Sequence, residues 1–188
     1  MKDALIFLLR LIAFSLPLFL FATFSMDLTP VQHVVSSQAA WALRMMGYDV
    51  AENGLILSVG SGASFTFLIG TDCTGLKPML AYLALVLAAM GTGLRRKALG
   101  LAIGLPMVYA GNIARIIAVV LIERAYGLKA AMVFHDWLWQ AGLISLVLAV
   151  WLVWLRWDAI QKALKKIGGA RPGKAARKAA GSSKKTPP

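Results

Sequence analysis

Four long apolar runs constrain this chain more than any other feature of its sequence. They cover residues 4–24, 76–90, 98–122 and 137–157. A helix of about 20 apolar residues crosses the roughly 30 Å hydrocarbon core of a bilayer. Hydrophobic residues also make up 59% of the 188 positions, well above the roughly 45–50% of soluble domains. We therefore predict an all-α polytopic membrane protein with about four transmembrane helices.

The first run has a second interpretation, as a secretory signal peptide. Lys2 precedes it, and small residues lie near its end at positions 22–25, both features of such peptides. The run is long for the apolar part of a signal peptide, and we therefore expect an uncleaved membrane anchor.

The segment between the first two runs, residues 25–72, departs from the apolar pattern. Apolar residues from Val34 to Met46 recur at helical spacing, which predicts a short amphipathic helix on the membrane surface, anchored by Trp41. Asn53-Gly54 lies between two β-prone stretches, the strongest short-range signal of a β-hairpin. The stretch 65–69 is a candidate third strand. We therefore predict a small helix and a β-hairpin as an insertion between the first and second spans.

The distribution of Lys and Arg predicts the orientation of the chain in the membrane. Ten of the twenty cationic residues lie between Arg156 and Lys185, and three more form a predicted basic turn at residues 95–97. The insertion over residues 25–72 contains a single one, Arg44. Because cytoplasmic loops are enriched in Lys and Arg, both termini are expected in the cytoplasm and the insertion outside the cell membrane.

Two regions are expected from this pattern: a membrane-embedded core over residues 1–157 and a basic tail over residues 158–188. The tail has too few apolar residues to fold and is predicted to be disordered. Its charge is interpreted as an orientation signal and a contact with anionic lipid head groups. Nucleic acid is a weaker alternative for the tail, and it is not among the predicted partners.

Three chemically capable side chains are predicted to meet at the outer membrane surface. Cys73, the only cysteine, begins the second span, and Arg115 lies near the outer end of the third. His135 precedes the fourth span, in a predicted short loop over residues 123–136. Each has an ordinary explanation when taken alone. A cysteine is usually a small buried apolar residue, an arginine can extend to the interface, and a histidine can belong to a surface loop.

Together, these three side chains have complementary chemistry. Cationic neighbours and helix N-termini favour the reactive thiolate, and Pro78 is a helix-starting residue just beyond Cys73. His135 can take the thiol proton and later protonate a leaving amine, and Arg115 can hold the oxyanion of a tetrahedral intermediate. One cysteine permits neither an intramolecular disulfide nor a thiolate metal cluster, and no metal or cofactor is expected.

Three further polar residues are candidate supporting residues. Asn112 lies one helical turn before Arg115 on the same face, which favours a polar pocket around the arginine. Asp72 precedes Cys73 in the chain, and Asp136 follows His135. Because adjacent residues on a helix point in different directions, Asp136 is interpreted first as an interfacial cap and second as a partner of His135.

Three motifs carry a resemblance to a known family: Asp-Cys-Thr-Gly-Leu-Lys at 72–77, Gly-Asn-Ile-Ala-Arg-Ile at 111–116, and His135 before the last span. In this order, over roughly residues 71–157, they resemble the exosortase/archaeosortase family of polytopic membrane transpeptidases. The resemblance implies that Cys73 is the nucleophile, Arg115 its oxyanion or thiolate partner and His135 the general acid/base. Many relatives have more spans, so this chain resembles a compact form.

The resemblance also implies a substrate class and a location. The substrates are secreted proteins with a C-terminal sorting signal, which consists of a short motif, a transmembrane helix and a basic cluster. The enzyme cleaves at the motif on the outer face of the plasma membrane and transfers the product to an acceptor, with membrane lipid as one candidate. Small residues at Gly100, Gly104 and Gly111 are expected to let the substrate helix approach closely.

Two other classes of function are compatible with the sequence. In the first, the chain is a non-enzymatic assembly or scaffold protein with a structural or lipidated Cys73. In the second, it is a small transporter in which Asn112 and Arg115 line an anion path. The second alternative gains little support, because the sequence has no repeat of one half in the other.

Overall fold

The computed structural model describes residues 2–23, 27–60, 65–137 and 141–157. The α-helices in these ranges are α1 (Lys2–Thr23), α2 (Thr29–Met45), α3 (Leu76–Ala88), α4 (Leu94–Tyr126), α5 (Leu128–Trp137) and α6 (Leu143–Leu155). Between α2 and α3 lie the strands β1 (Val50–Asn53), β2 (Ile56–Val59) and β3 (Phe65–Leu68), followed by a 3₁₀ turn (Thr71–Thr74). The described residues up to Trp151 form one compact unit, and Leu152–Trp157 belong to a separate one.

Within the described residues, α1 and α4 are the two helices long and apolar enough to cross a bilayer. The apolar side chains of α1 are largely exposed, including Leu9 and Ile12, as expected for contact with lipid. α4 has 33 residues, or about 50 Å at 1.5 Å per residue, and so exceeds the thickness of the hydrocarbon core. α3 and α6 have 13 residues each, or about 20 Å, and fall short of that thickness.

Close packing joins α3 and α6 to α4 at three glycines. The hydroxyl of Tyr82, a fully buried residue of α3, donates to Gly100 O (3.0 Å). A Cβ on Gly104 would overlap the same tyrosine ring, and a Cβ on Gly111 would overlap Leu146 of α6. At Gly104 and Gly111 the predicted approach of a substrate helix is therefore wrong, because Tyr82 and Leu146 of the chain itself occupy that space; at Gly100 it stays a prediction.

The insertion between α1 and α3 contains a three-stranded antiparallel sheet in the order β1-β2-β3. Asn53 of β1 pairs with Ile56 of β2, which in turn pairs with Leu68 of β3. Gly54 adopts a φ of 64° at the turn between β1 and β2. This left-handed conformation is the reason why Asn-Gly favours a tight hairpin turn.

Helix α2 packs against both the sheet and α4. The shared core consists of buried residues of α2, of the strands and of the second half of α4, namely Val35, Ala39, Ala40, Leu43, Val50, Leu57, Val59, Ile69, Ile116 and Val120. Val34, Trp41 and Met45 form an exposed apolar stripe elsewhere on α2. The helix predicted from Val34 begins earlier, at Thr29. Its apolar residues lie on two faces, one packed in the core and one exposed.

Several predicted boundaries are wrong. Residues 95–97, predicted as a turn, lie in the first turn of α4, where Lys97 Nζ donates to Leu87 O (2.6 Å) at the end of α3. Residues 123–136, predicted as a loop, belong to α4 and α5, which are separated only at Gly127 (φ 82°). Trp137, the predicted start of the fourth span, ends α5. The predicted tail, 158–188, lies outside the described residues.

Candidate active site

The backbone around Cys73 is a tight turn between β3 and α3. The Cys73 N–H donates to Gly70 O (3.0 Å), and Thr74 Oγ1 donates to Thr71 O (2.7 Å). Gly75 ends the turn with a φ of 74°, a conformation that favours glycine. This local geometry places a half-buried thiol three residues before the first residue of α3.

Asn112 of α4 anchors this turn from the side. Its Nδ2 donates to Cys73 O (2.7 Å), a contact between residues 39 positions apart in the chain. The asparagine is fully buried, and a Cβ on Gly75 would lie 2.9 Å from its Nδ2. The glycine therefore both ends the turn and lets it rest directly on the asparagine amide, which fixes the position of Cys73 relative to α4.

Arg115 follows Asn112 by three residues on α4 and is only 5% exposed. Its Nε and Nη1 are buried and make no hydrogen bond within the described residues. Buried polar groups in native proteins are normally paired, and an unpaired buried cation is strongly unfavourable. Two unpaired donors on a buried guanidinium therefore indicate a place for an oxygen-bearing or anionic group.

His135 lies in the last turn of α5, where its Nδ1 is 3.2 Å from Asp136 Oδ1. The two side chains meet although they are adjacent on a helix, because both are partly exposed and can turn toward each other. A proton on Nδ1 that is donated to Asp136 leaves the lone pair on Nε2, where it can accept a proton. Asp72 is engaged elsewhere, in an ion pair with Lys77.

Cys73, Arg115 and His135 line one cavity of about 320 Å³. The rest of the cavity wall is mostly apolar and comes from β3 and the residue after it, from α4 and from α5, namely Phe65, Thr66, Phe67, Leu68, Ile69, Ile116, Val119, Leu128, Ala131 and Met132. The three candidate catalytic residues thus reach one partly open cavity from three segments of the chain, with Asn112 behind the Cys73 turn.

Sequence reasoning missed two walls of this cavity. The stretch 65–69 was predicted as a strand without a role at the site. Residues 128–135 were predicted as a loop, although Leu128, Met132 and His135 recur at the spacing of one helix face. That spacing was the signal for a helix that carries His135 into the cavity.

The sequence matches the family described as Transmembrane exosortase (Exosortase_EpsH) over residues 2–139. This chain belongs to the transmembrane exosortase family. The match confirms the family resemblance drawn from the motifs and identifies the chain as a membrane protein. It includes all three candidate catalytic residues of this exosortase and ends before α6. Comparisons with curated proteins and with solved structures gave no match.

Replacing Asn112 with leucine is expected to loosen the Cys73 turn of this exosortase. The substitution keeps the branched shape of the side chain, at a larger volume, but removes the donor to Cys73 O, and leaving a buried polar group unpaired costs about 1–3 kcal/mol. We expect a lower melting temperature in detergent and a fall of about tenfold in substrate cleavage, since small misplacements of a reacting group are costly.

Ala114→Leu is the matched control for this substitution, because Ala114 is exposed on the opposite side of the same helical turn. It should leave both the melting temperature and cleavage near the wild-type values. An Asn112→Leu variant with unchanged melting temperature and unchanged cleavage would contradict the anchoring role of the asparagine.

Proposed function

We propose that this exosortase is a membrane cysteine transpeptidase that cleaves the C-terminal sorting signal of secreted proteins. The activity of transpeptidase or protease type in protein sorting is what its family suggests. The observation that carries the finer proposal is the shared cavity of Cys73, Arg115 and His135. Nucleophilic catalysis needs a nucleophile, a base and an oxyanion donor in one place, and these residues are of those three types.

In the first chemical step, Cys73 Sγ attacks the carbonyl carbon of the scissile peptide bond and its proton passes to His135. The carbonyl oxygen becomes an oxyanion. The unpaired Nε and Nη1 of Arg115 are suited to hold it, because preorganised donors in a buried site stabilise developing charge strongly. The tetrahedral intermediate then collapses, the C–N bond breaks, and the new amine takes the proton from His135.

The second step releases the product from Cys73. The remaining thioester is attacked by an acceptor nucleophile, whose proton passes to His135, and the thiolate leaves. A lipid head group with an amine or hydroxyl is one candidate acceptor, and water would give simple hydrolysis. Asp136 beside His135 Nδ1 is suited to stabilise the imidazolium that forms in both steps.

The proposed topology places the cavity at the outer face of the plasma membrane. About 20 helical residues cross the hydrocarbon core, so α4, if it enters from the cytoplasm at Lys97, leaves the core near Ile117. Arg115 is then at the outer interface, and the remaining turns of α4 project beyond it. α3 and α6 complete four spans with flanking residues, and both termini remain cytoplasmic, next to the basic end of the sorting signal.

Co-expression with secreted proteins that carry such a signal tests the proposal. Each substrate would have an N-terminal epitope tag, a C-terminal motif, a transmembrane helix and a basic cluster. We expect the tagged fragment to lose the mass of its C-terminal helix only when the chain is present. A matched substrate with the same helix and a scrambled motif should stay intact. Full-length substrate in every pairing, with the chain folded in the membrane, would contradict the proposal.

A further inference from the structure

Strand β3 lies at an edge of the sheet and also forms a wall of the cavity. It pairs with β2 on one side, and no strand pairs with its other side within the described residues. Its four residues and Ile69 line the cavity together with Cys73, Arg115 and His135. The open edge of the strand and the three candidate catalytic residues therefore share one space.

Two hydrogen bonds show which backbone groups of β3 face the open edge. Ile69 N–H donates to Leu55 O (2.9 Å), next to the β2–β3 ladder, and Gly60 N–H donates to Asp49 O (2.8 Å), next to the β1–β2 ladder. Backbone groups alternate in direction along an antiparallel strand. Both bonds indicate the same alternation, in which the N–H and C=O groups of Thr66 and Leu68 point away from β2. Leu68 O also accepts from the Gly70 N–H (3.1 Å), so within the described residues the groups open at this edge are the N–H and C=O of Thr66 and the N–H of Leu68.

The two edges of the sheet differ in a way that singles out β3. Proteins usually protect edge strands with charged residues, proline or a covering element. β1 carries the charged Glu52, which accepts a hydrogen bond from Ser37 of α2 (2.7 Å), and α2 packs against β1. β3 has the sequence Phe-Thr-Phe-Leu, with neither charge nor proline. Its edge is thus a suitable template for another extended chain.

We propose that the segment of the substrate around the scissile bond binds as an added strand on the open edge of β3. Backbone hydrogen bonds to Thr66 and to the Leu68 N–H would hold it extended, and the direct connection from β3 to the 3₁₀ turn would present its scissile carbonyl to Cys73. Strand addition takes affinity from the main chain and specificity from alternate side chains. The apolar wall at Ile116, Val119 and Met132 then favours uncharged side chains in the inward positions.

This inference rests on the proposed function for the cleavage step, but the binding mode can be tested without a natural substrate. The probe is acetyl-Val-Thr-Val-Ala chloromethyl ketone, which alkylates a thiol as Sγ displaces chloride. Cys73 is the only cysteine in the sequence, and a Cys73→Ala chain measured in parallel gives the alkylation of histidine, which is subtracted from the intact-mass signal of the purified full chain. Two further probes carry N-methyl groups on residues one and three, or on residues two and four.

Strand addition predicts that the two methylated probes behave differently. Only alternate N–H groups of an added strand face β3, so one methylation pattern should slow alkylation about fivefold or more, since the hydrogen bond to Thr66 O is lost and the methyl groups collide with the strand. The other should react like the unmethylated probe. Iodoacetamide, which is too small to form a strand, reports access to the thiol. Equal rates for both methylated probes would overturn the proposal.

A variant pair tests the protein side of the same contact. Thr66→Pro removes an N–H at the open edge and places the proline ring there, which blocks the approach of an added strand; proline is tolerated because the ladder does not use that group. It should abolish the rate difference between the two methylated probes while keeping the iodoacetamide rate. Glu52→Pro, at an outward-facing position on the opposite edge, should retain the difference. If Thr66→Pro fails to fold, the methylated probes on the wild-type chain still decide.

The two proposals fail in distinguishable ways. Cleavage of a co-expressed substrate together with equal rates for both methylated probes would overturn strand addition alone. A clear difference between these probes in a chain that cleaves no sorting signal would overturn the proposed activity alone and support β3 as a peptide-binding edge.

Discussion

Replacing Cys73 with alanine is expected to reduce cleavage of the sorting signal to the uncatalysed background. The sequence contains no second thiol, and alanine offers no nucleophile for the acyl transfer. The fold should persist, because the residue is half-buried at the margin of the core and its hydrogen bonds to Gly70 and Asn112 use backbone atoms. The mass of the tagged substrate in membranes measures the loss.

Thr71→Ala is the matched control for this substitution. Thr71 is exposed in the same 3₁₀ turn, and its backbone oxygen, which accepts from Thr74, is kept. It should cleave at close to the wild-type rate. Processing by the Cys73→Ala variant at a rate near the wild-type value would instead favour a scaffold that assists another enzyme.

The apolar helices α1, α3, α4 and α6 were predictable because apolar runs are a local signal. Their ends were less predictable, because the end of an apolar run need not be the end of a helix. α4 continues to Tyr126 because its C-terminal half packs against α2 and the sheet through Ile116 and Val120. A helix continues past its apolar run when a folded layer packs against it. That packing is a tertiary feature, and neither hydropathy nor charge reports it.

Part of the candidate site was likewise predictable from the sequence, and part depends on tertiary packing. The orientation deduced from Lys and Arg placed Cys73, Arg115 and His135 on one membrane face, and the structure has all three in one cavity. The hydrogen bond from Asn112 to Cys73 O depends on how α4 meets the turn, which spacing within α4 does not specify. The position of β3 in the cavity wall likewise depends on packing between segments distant in sequence, so its β-propensity predicted a strand but not its role.

Replacing Arg115 with lysine is expected to lower cleavage about 10²–10³-fold, equivalent to about 2.7–4 kcal/mol of transition-state stabilisation. Lysine keeps the positive charge but loses the planar fork of donors that can hold an oxyanion at a fixed angle. The effect should fall on kcat more than on KM, because the oxyanion exists only after attack by Cys73. Steady-state kinetics with a purified tagged substrate in detergent would measure both kcat and KM.

The melting temperature of the Arg115→Lys variant distinguishes an oxyanion-binding role of Arg115 from a structural one. The Nε and Nη1 atoms of Arg115 have no hydrogen-bond partner within the described residues, so Arg115→Lys should leave the melting temperature nearly unchanged. Arg124→Lys is the control on the same helix, since Arg124 is exposed and lies over the Tyr48 ring (5.8 Å). It should change neither kcat nor KM. A large fall in melting temperature with unchanged kcat for Arg115→Lys would make the arginine a packing residue, because an oxyanion donor acts on the transition state and not on the resting fold.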